Sequence, residues 1–370
     1  MSEVIHPVEI APNTWWVGKR DPRSIFHANP YLRVFRGEGA DGRLQQFNLL
    51  IDPGSRSDYA VVSTKASSLI GNLSRVSAIW VNHQDPDVGS IAPLIVGKHA
   101  PMASVICSEA TWRLICHYGL PRERFFSTDK VASRLQLPTG GHVVPVPSPF
   151  CHFRGAVMCY DPETRVLFSG DLFGGLTDLH APGIWADESD WRGMRAFHQT
   201  YMPSSKAIAN TIAAIRALTP AVEVIAPQHG RVIKGEYLEY FMNKLAKLPV
   251  GMDLLDAEDT SPETLNAWNS VLTRVLETAR GYLGAKADER LTAHSDLDED
   301  TIVFEKNGPR LVSLPRWAMG VVVEALTEHE PMEIANVIKQ EAIVAADELD
   351  LPAPDLRLEE VENVTLDEGY

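Results

Sequence analysis

His83, Asp85 and Asp87 stand at two-residue spacing directly after the apolar run 77–81, so one imidazole and two carboxylates emerge together from the end of a predicted strand. Residues of this kind bind divalent metal ions, and Pro86 between the acids fixes one backbone angle of the turn that would aim them. Taken alone, the stretch also fits a solvated acidic turn. Three later strand ends shift the balance. His152 follows the run 142–149, Asp171 closes 166–170, and His229 closes 222–228 just before a glycine. Each is a ligand-type residue at the mouth of an apolar strand. A mixture of imidazole and carboxylate suits zinc, iron or manganese, whereas a purely structural zinc site favours cysteine.

With these residues in view, the chain resembles the metallo-β-lactamase superfamily, and within it the flavodiiron and oxygen-binding diiron proteins, over residues 5–245. Further matches are Asn29-Pro-Tyr31 after His27, Leu167-Phe-Ser-Gly-Asp171-Leu-Phe-Gly174, Tyr201-Met-Pro-Ser204 and Ala226-Pro-Gln-His229-Gly230. Hydrolases of the superfamily carry histidine where this chain has Asp85. The diiron branch carries a carboxylate there, usually glutamate. The resemblance implies His83, Asp85 and His152 on one metal, Asp87 and His229 on the second, and Asp171 bridging both. It also implies two irons, with zinc or manganese as alternatives, and a supporting role beside the metals for His27. One position departs from the family pattern. The residue after Asp87 is commonly a histidine ligand, and here it is Val88, which leaves the second metal an open place or a weaker hold. His180 and His198, which follow Asp171 in sequence, are further candidates to line the cleft.

Composition bounds the rest. The chain has 370 residues with 45% hydrophobic content, enough for two domains and a sizeable core. No apolar run has membrane-spanning length, and the start Met1-Ser-Glu-Val-Ile-His lacks a signal-peptide pattern, so a cytoplasmic location is expected. Cys107, Cys116, Cys151 and Cys159 form no CxxC pair and read as free thiols. Charge is divided unevenly. Residues 251–370 hold 27 Asp and Glu against 9 Lys and Arg, while the rest holds 22 against 25. An acidic segment of this kind argues against nucleic acid as a partner, because phosphate recognition needs the opposite sign.

The elements that would position the ligands alternate along the chain. Strands are predicted at 14–17, 30–35, 47–51, 78–81, 143–146, 156–160, 166–169 and 222–225, and helices at 57–71, 109–117 and 202–218. This is an α/β pattern, and the resemblance implies a four-layer αββα sandwich with the ligands on loops at one sheet edge. Beyond residue 250 the pattern changes. A helix is expected over 261–282, continuing toward Leu291, then a hairpin of 301–304 and 311–314 around Asn307-Gly308, helices over 316–326 and 331–349, and an extended or disordered acidic end over 352–370.

The division expected is a metal-bearing domain over 1–250, able to fold alone, and a smaller, mainly helical domain over 251–370 that serves dimerisation or signalling. That second part lacks the phosphate-binding loop of the flavodoxin module that follows the diiron domain in flavodiiron enzymes, so no flavin is expected in this chain. The leading reading is a diiron protein that binds, senses or reduces dioxygen or a similar small molecule, drawing electrons from an external donor or passing a signal to a partner. The alternative is a dinuclear metal-dependent hydrolase of phosphodiesters or thioesters, in which two metals hold the attacking hydroxide.

Overall fold

Successive side chains of a strand point to opposite faces of its sheet, and here both faces of the first sheet are apolar. The computed structural model describes residues 6–257, 261–298, 300–305 and 308–357. Its first sheet runs in sequence order through β1 (Val8–Ala11), β2 (Thr14–Trp16), β3 (Tyr31–Glu38), β4 (Leu44–Ile51), β5 (Ala78–Trp80), β6 (Ser104–Cys107) and β7 (Phe125–Ser127), antiparallel up to β4 and parallel from there on. Leu32, Val34, Leu50, Ile79 and Val105 form one apolar layer with residues of the helices α1 (Tyr59–Ile70), α2 (Pro86–Gly89), α3 (Ala92–Lys98) and α4 (Glu109–Ile115). Their strand neighbours Tyr31, Phe35, Leu49, Ile51, Trp80 and Ile106 form a second layer. That layer is shared with Val157, Cys159, Val166, Phe168, Val224 and Ala226 of the other sheet.

The other sheet has the order β13-β12-β11-β10-β9-β8, built from β8 (Leu135–Gln136), β9 (His142–Pro147), β10 (Val157–Asp161), β11 (Val166–Gly170), β12 (Val224–Pro227) and β13 (Ile233–Lys234). Of the helices α5 (Asp190–Tyr201), α6 (Ser205–Arg216) and α7 (Tyr237–Leu245), α6 packs on β9 and α7 on β13. Buried Ile208, Ile212 and Ile215 of α6 and Phe241 and Leu245 of α7 complete the outer layer. The result is a four-layer αββα sandwich, as the resemblance implies. Full burial of each such side chain contributes about 1.5–3 kcal/mol, which is why the layers dominate the fold. The sheets are also pinned to each other by polar groups. Trp80 Nε1 donates to the Val157 carbonyl at 3.1 Å, and Arg33 of β3 pairs with Asp161 of β10 at 2.7 Å, both nearly fully buried.

Two compact units are distinguished by their internal contacts. One holds Met1–Pro22 and His27–Asp253, the other Arg23–Phe26 and Leu254–Tyr370. The described elements of the second unit are α8 (Pro262–Leu283), α9 (Lys286–Ala293), the hairpin β14 (Ile302–Glu305) and β15 (Gly308–Leu311), α10 (Pro315–Thr327) and α11 (Met332–Glu348). Ser261 caps α8 by accepting from Thr264 N, and Pro262 occupies the first turn, where its missing N–H costs nothing. No helix among the described residues is long and apolar enough to cross a membrane.

Several element boundaries differ from the sequence expectation. The helix expected over 202–218 begins only at Ser205, because Met202 is extended and Ser204 caps the helix. Before it lies α5, whose polar composition hid it. The helix from residue 261 does not continue toward Leu291; it stops at Gly284, whose positive φ of 61° ends it. In the hairpin, Ile302 pairs with Leu311 and Glu305 with Gly308, so the second strand is Gly308–Leu311 rather than 311–314. Leu314 instead precedes α10. Asn307 of the expected turn, and 358–370 of the expected acidic end, lie outside the described residues.

Candidate metal centre

The apolar strand β5 feeds directly into the first cluster of polar residues. Asp52, at the end of β4, accepts from Asn82 N at 2.8 Å and so fixes the backbone just before His83; burial raises its carboxyl to about 7. Asp85 then starts α2 with Pro86 behind it, and Asp87 lies in the same short helix. His152 comes from the loop after β9, Asp171 from the end of β11 and His229 from the end of β12. Gly170 is needed where it stands. Its φ is +59°, and a Cβ there would lie 2.3 Å from the Asn82 amide, so no larger residue allows Asp171 this approach.

Four of the six expected ligand residues form one tight group. The ligand atoms of His83, Asp85, His152 and Asp171 all lie within 4.8 Å of one another. His152 Nε2 is 2.9 Å from Asp85 Oδ2 and 3.2 Å from Asp171 Oδ2, and His83 Nε2 is 3.4 Å from each of those oxygens. The other two residues pair next door. His229 Nε2 is 3.2 Å from Asp87 Oδ2 and 3.6 Å from Asp171 Oδ1. Asp171 therefore turns one oxygen to each group.

The electrostatics match a site built for positive charge. Burial alone would lower the pKa of His83, but Asp171 and Asp85 outweigh it and raise it well above the ordinary value. Against the same burial, His152 rises to about 9 through its bonds to Asp171 and Asp85, and His229 rises through Asp87 and Asp171. Burial pushes the carboxyl of Asp171 up, yet the surrounding imidazoles hold it well below the usual range. Metal ions fit this donor set. His83 Nε2 and Asp171 Oδ1 are buried, and among the described residues their partners are ion-pair contacts at 3.4 and 3.6 Å rather than close hydrogen bonds, a costly state for ligand-type atoms that an ion would relieve.

His27 sits close by, but its carbonyl makes the contact. His229 Nδ1 donates to His27 O at 2.8 Å, which keeps Nε2 free to face the carboxylates. The His27 ring points to Arg20 Nη1 (3.3 Å) and to the backbone of Asp21, and burial together with Arg20 lowers its pKa to about 3. His198 is fully buried, with Nδ1 on the Met194 carbonyl and Nε2 accepting from Phe173 N at 3.2 Å, so it braces the turn after Asp171. His180 is exposed. Sequence reasoning missed Phe197, whose ring lies 5.2 Å from that of His229, and Arg20, which donates to Thr177 Oγ1 and the Gly230 carbonyl. The aromatic had no motif to mark it, and Arg20 stands in a run that reads as a solvated loop.

Val88 is fully buried in the apolar layer between the first sheet and its helices, together with Val81, Ile91 and Ile95. Val88→His is therefore expected to destabilise the metal-free chain by about 2–4 kcal/mol, the cost of burying an imidazole without a partner. Metal should recover part of that loss if the new ring can reach Asp87 and His229. Equal losses of melting temperature with and without metal would mean that the second group has no room for another ligand.

A family model described as ODP family beta lactamase matches residues 26–230. The anaerobic nitric oxide reductase flavorubredoxin of Pectobacterium carotovorum subsp. carotovorum is 24% identical over 237 residues, covering 61% of this chain and 45% of the relative. That of Salmonella arizonae is 27% identical over 230 residues, covering 60% and 47%. The chain thus spans about half the length of these curated relatives. Among solved structures, the apo state of the chemotaxis sensor ODP from T. denticola is 28% identical, with a TM-score of 0.57, covering 69% of this chain and 98% of that one. A structure titled as the peroxy diiron species of chemotaxis sensor ODP is 25% identical, with a TM-score of 0.53, covering 68% and 98%. The rubredoxin oxygen:oxidoreductase of Desulfovibrio gigas, at 16% identity and a TM-score of 0.57, covers 65% of this chain and 61% of that one and shares the fold. With its family model spanning more than half of the 370 residues, the chain belongs to the ODP family beta lactamase group, in the diiron branch of the metallo-β-lactamase superfamily.

Proposed function

We propose that this chain is a dinuclear non-haem iron protein that binds dioxygen or a similar diatomic molecule and senses it. In this reading His83, Asp85 and His152 hold one iron, Asp87 and His229 hold the second, and Asp171 bridges them. The observation that carries it is the two-sided Asp171 carboxylate, with Oδ2 at 3.2 Å from His152 and Oδ1 at 3.6 Å from His229. Iron, when bound there, supplies electrons and open coordination places for a small ligand. The protein's own groups do the rest. The buried Phe197 ring lies 5.2 Å from that of His229 and keeps water from that side, and the His27 carbonyl orients His229. The share of oxygen ligands, with Asp85 in place of a histidine, favours iron or manganese over zinc.

Sensing is preferred to turnover because one relative's structure is titled as a chemotaxis sensor. The test is metal analysis of protein made in iron-replete medium, followed by an absorption spectrum before and after air reaches the reduced form. About two irons per chain and a new charge-transfer band are expected. Two zincs, an unchanged spectrum and turnover of a phosphodiester or thioester would replace this reading with hydrolysis.

A further inference from the structure

Between β2 and β3 the chain makes an excursion whose ends and middle belong to different units. Arg20 near its start donates through Nη1 to Thr177 Oγ1 at 2.7 Å and through Nη2 to the Gly230 carbonyl at 2.6 Å. Near its end, Asn29 donates from Nδ2 to the carbonyls of Pro227 (3.0 Å) and Gly230 (2.8 Å), and from its backbone N to Gln228 O at 2.7 Å. His27 O accepts a hydrogen bond from His229 Nδ1 at 2.8 Å. Both ends are thus fastened around the strand end that carries His229. The middle, Arg23–Phe26, groups with the C-terminal unit. There Asn336, fully buried on α11, donates to Arg23 O at 2.9 Å, Glu333 on the same helix lies 3.6 Å from the Arg23 guanidinium, and Ile25 is 2% exposed.

We infer that residues 20–29 are a relay that carries the state of the His229 side of the metal centre to α11 of the C-terminal unit. The inference rests on the metal reading above and adds its output. A ligand on His229 Nε2 holds that ring in place, and with it the strand end 227–230 to which Arg20, His27 and Asn29 are hydrogen-bonded. Three residues, Ser24 to Phe26, separate His27 from the carbonyl held by Asn336, and they span at most about 11 Å even when extended. Helix α11 is therefore linked to His229 through two hydrogen bonds, one at each end of the short covalent stretch 23–27. A coupling claim needs two states and a measured effect of one site on the other, and both are accessible here.

The test is hydrogen–deuterium exchange on the full chain, metal-free and loaded with ferrous iron under argon. Exchange in peptides covering residues 332–348 is expected to slow by about fivefold on loading, the lower end of ordinary coupling. Asn336→Ala should abolish that response while iron stoichiometry stays at the wild-type value. Glu333→Lys, an exposed change that leaves the helix core intact, should weaken the response if Asn336→Ala proves to unfold α11. Full iron uptake with no change in 332–348, or a response that survives both substitutions, would overturn the relay and leave the metal reading standing. No iron uptake by the wild-type chain would bring down the metal reading itself.

Discussion

Asp171→Ala is expected to strip the chain of nearly all its bound metal, whereas His229→Ala should lose about half. The asymmetry follows from geometry. Asp171 turns Oδ2 toward His83 and His152, at 3.4 and 3.2 Å, and Oδ1 toward His229 at 3.6 Å. Its removal takes a donor from both groups at once, while His229 contributes to one. The same substitution leaves His83 and His152 with Asp85 as their remaining carboxylate, too little charge to offset a divalent ion's desolvation in a buried pocket. The measurement is metal content by elemental analysis of the purified variants, with circular dichroism to confirm folding. A folded Asp171→Ala protein that keeps two metals would mean that the carboxylate spans nothing.

Metal affinity should climb steeply as pH rises toward about 9, while the metal-free chain loses stability over the same range. In that chain the carboxylates overcome burial and raise His152 to about 9, and raise His83 and His229 as well. A metal must displace these protons, so each one displaced makes apparent affinity about tenfold greater per pH unit until its imidazole is neutral. The sign for folding is opposite. A histidine whose pKa is raised on folding stabilises the metal-free fold fully below its unfolded value of 6.5, and that contribution fades as pH passes the folded value of about 9. Chelator competition at several pH values, beside thermal melts of the metal-free protein, reads both trends. An affinity that does not change between about pH 6 and 9 would show that the histidines are already neutral and that the ion pairs are not formed.

The sequence by itself determined the α/β layout and the residue types at the strand ends. Apolar strand periodicity is local, so runs such as 47–51, 78–81 and 166–169 could be placed within three residues, and β4, β5 and β11 occupy them. His83, Asp85 and Asp87 were legible because their spacing lies within five residues. That His152 and Asp171 join them in one group, and that Asp87 meets His229, depends on two sheets packing face to face. No local spacing encodes such a meeting. Tertiary structure alone also decided how His27 is used. Its ring is drawn to Arg20 and Asp21 and its carbonyl is left for His229, because a buried ring takes whichever polar partners the neighbouring loops supply. The assignment of Arg23–Phe26 to the C-terminal unit has the same origin. Burial of Ile25 and the bond from Asn336 to Arg23 join residues more than three hundred positions apart, and such pairing is a property of the packed chain rather than of either segment.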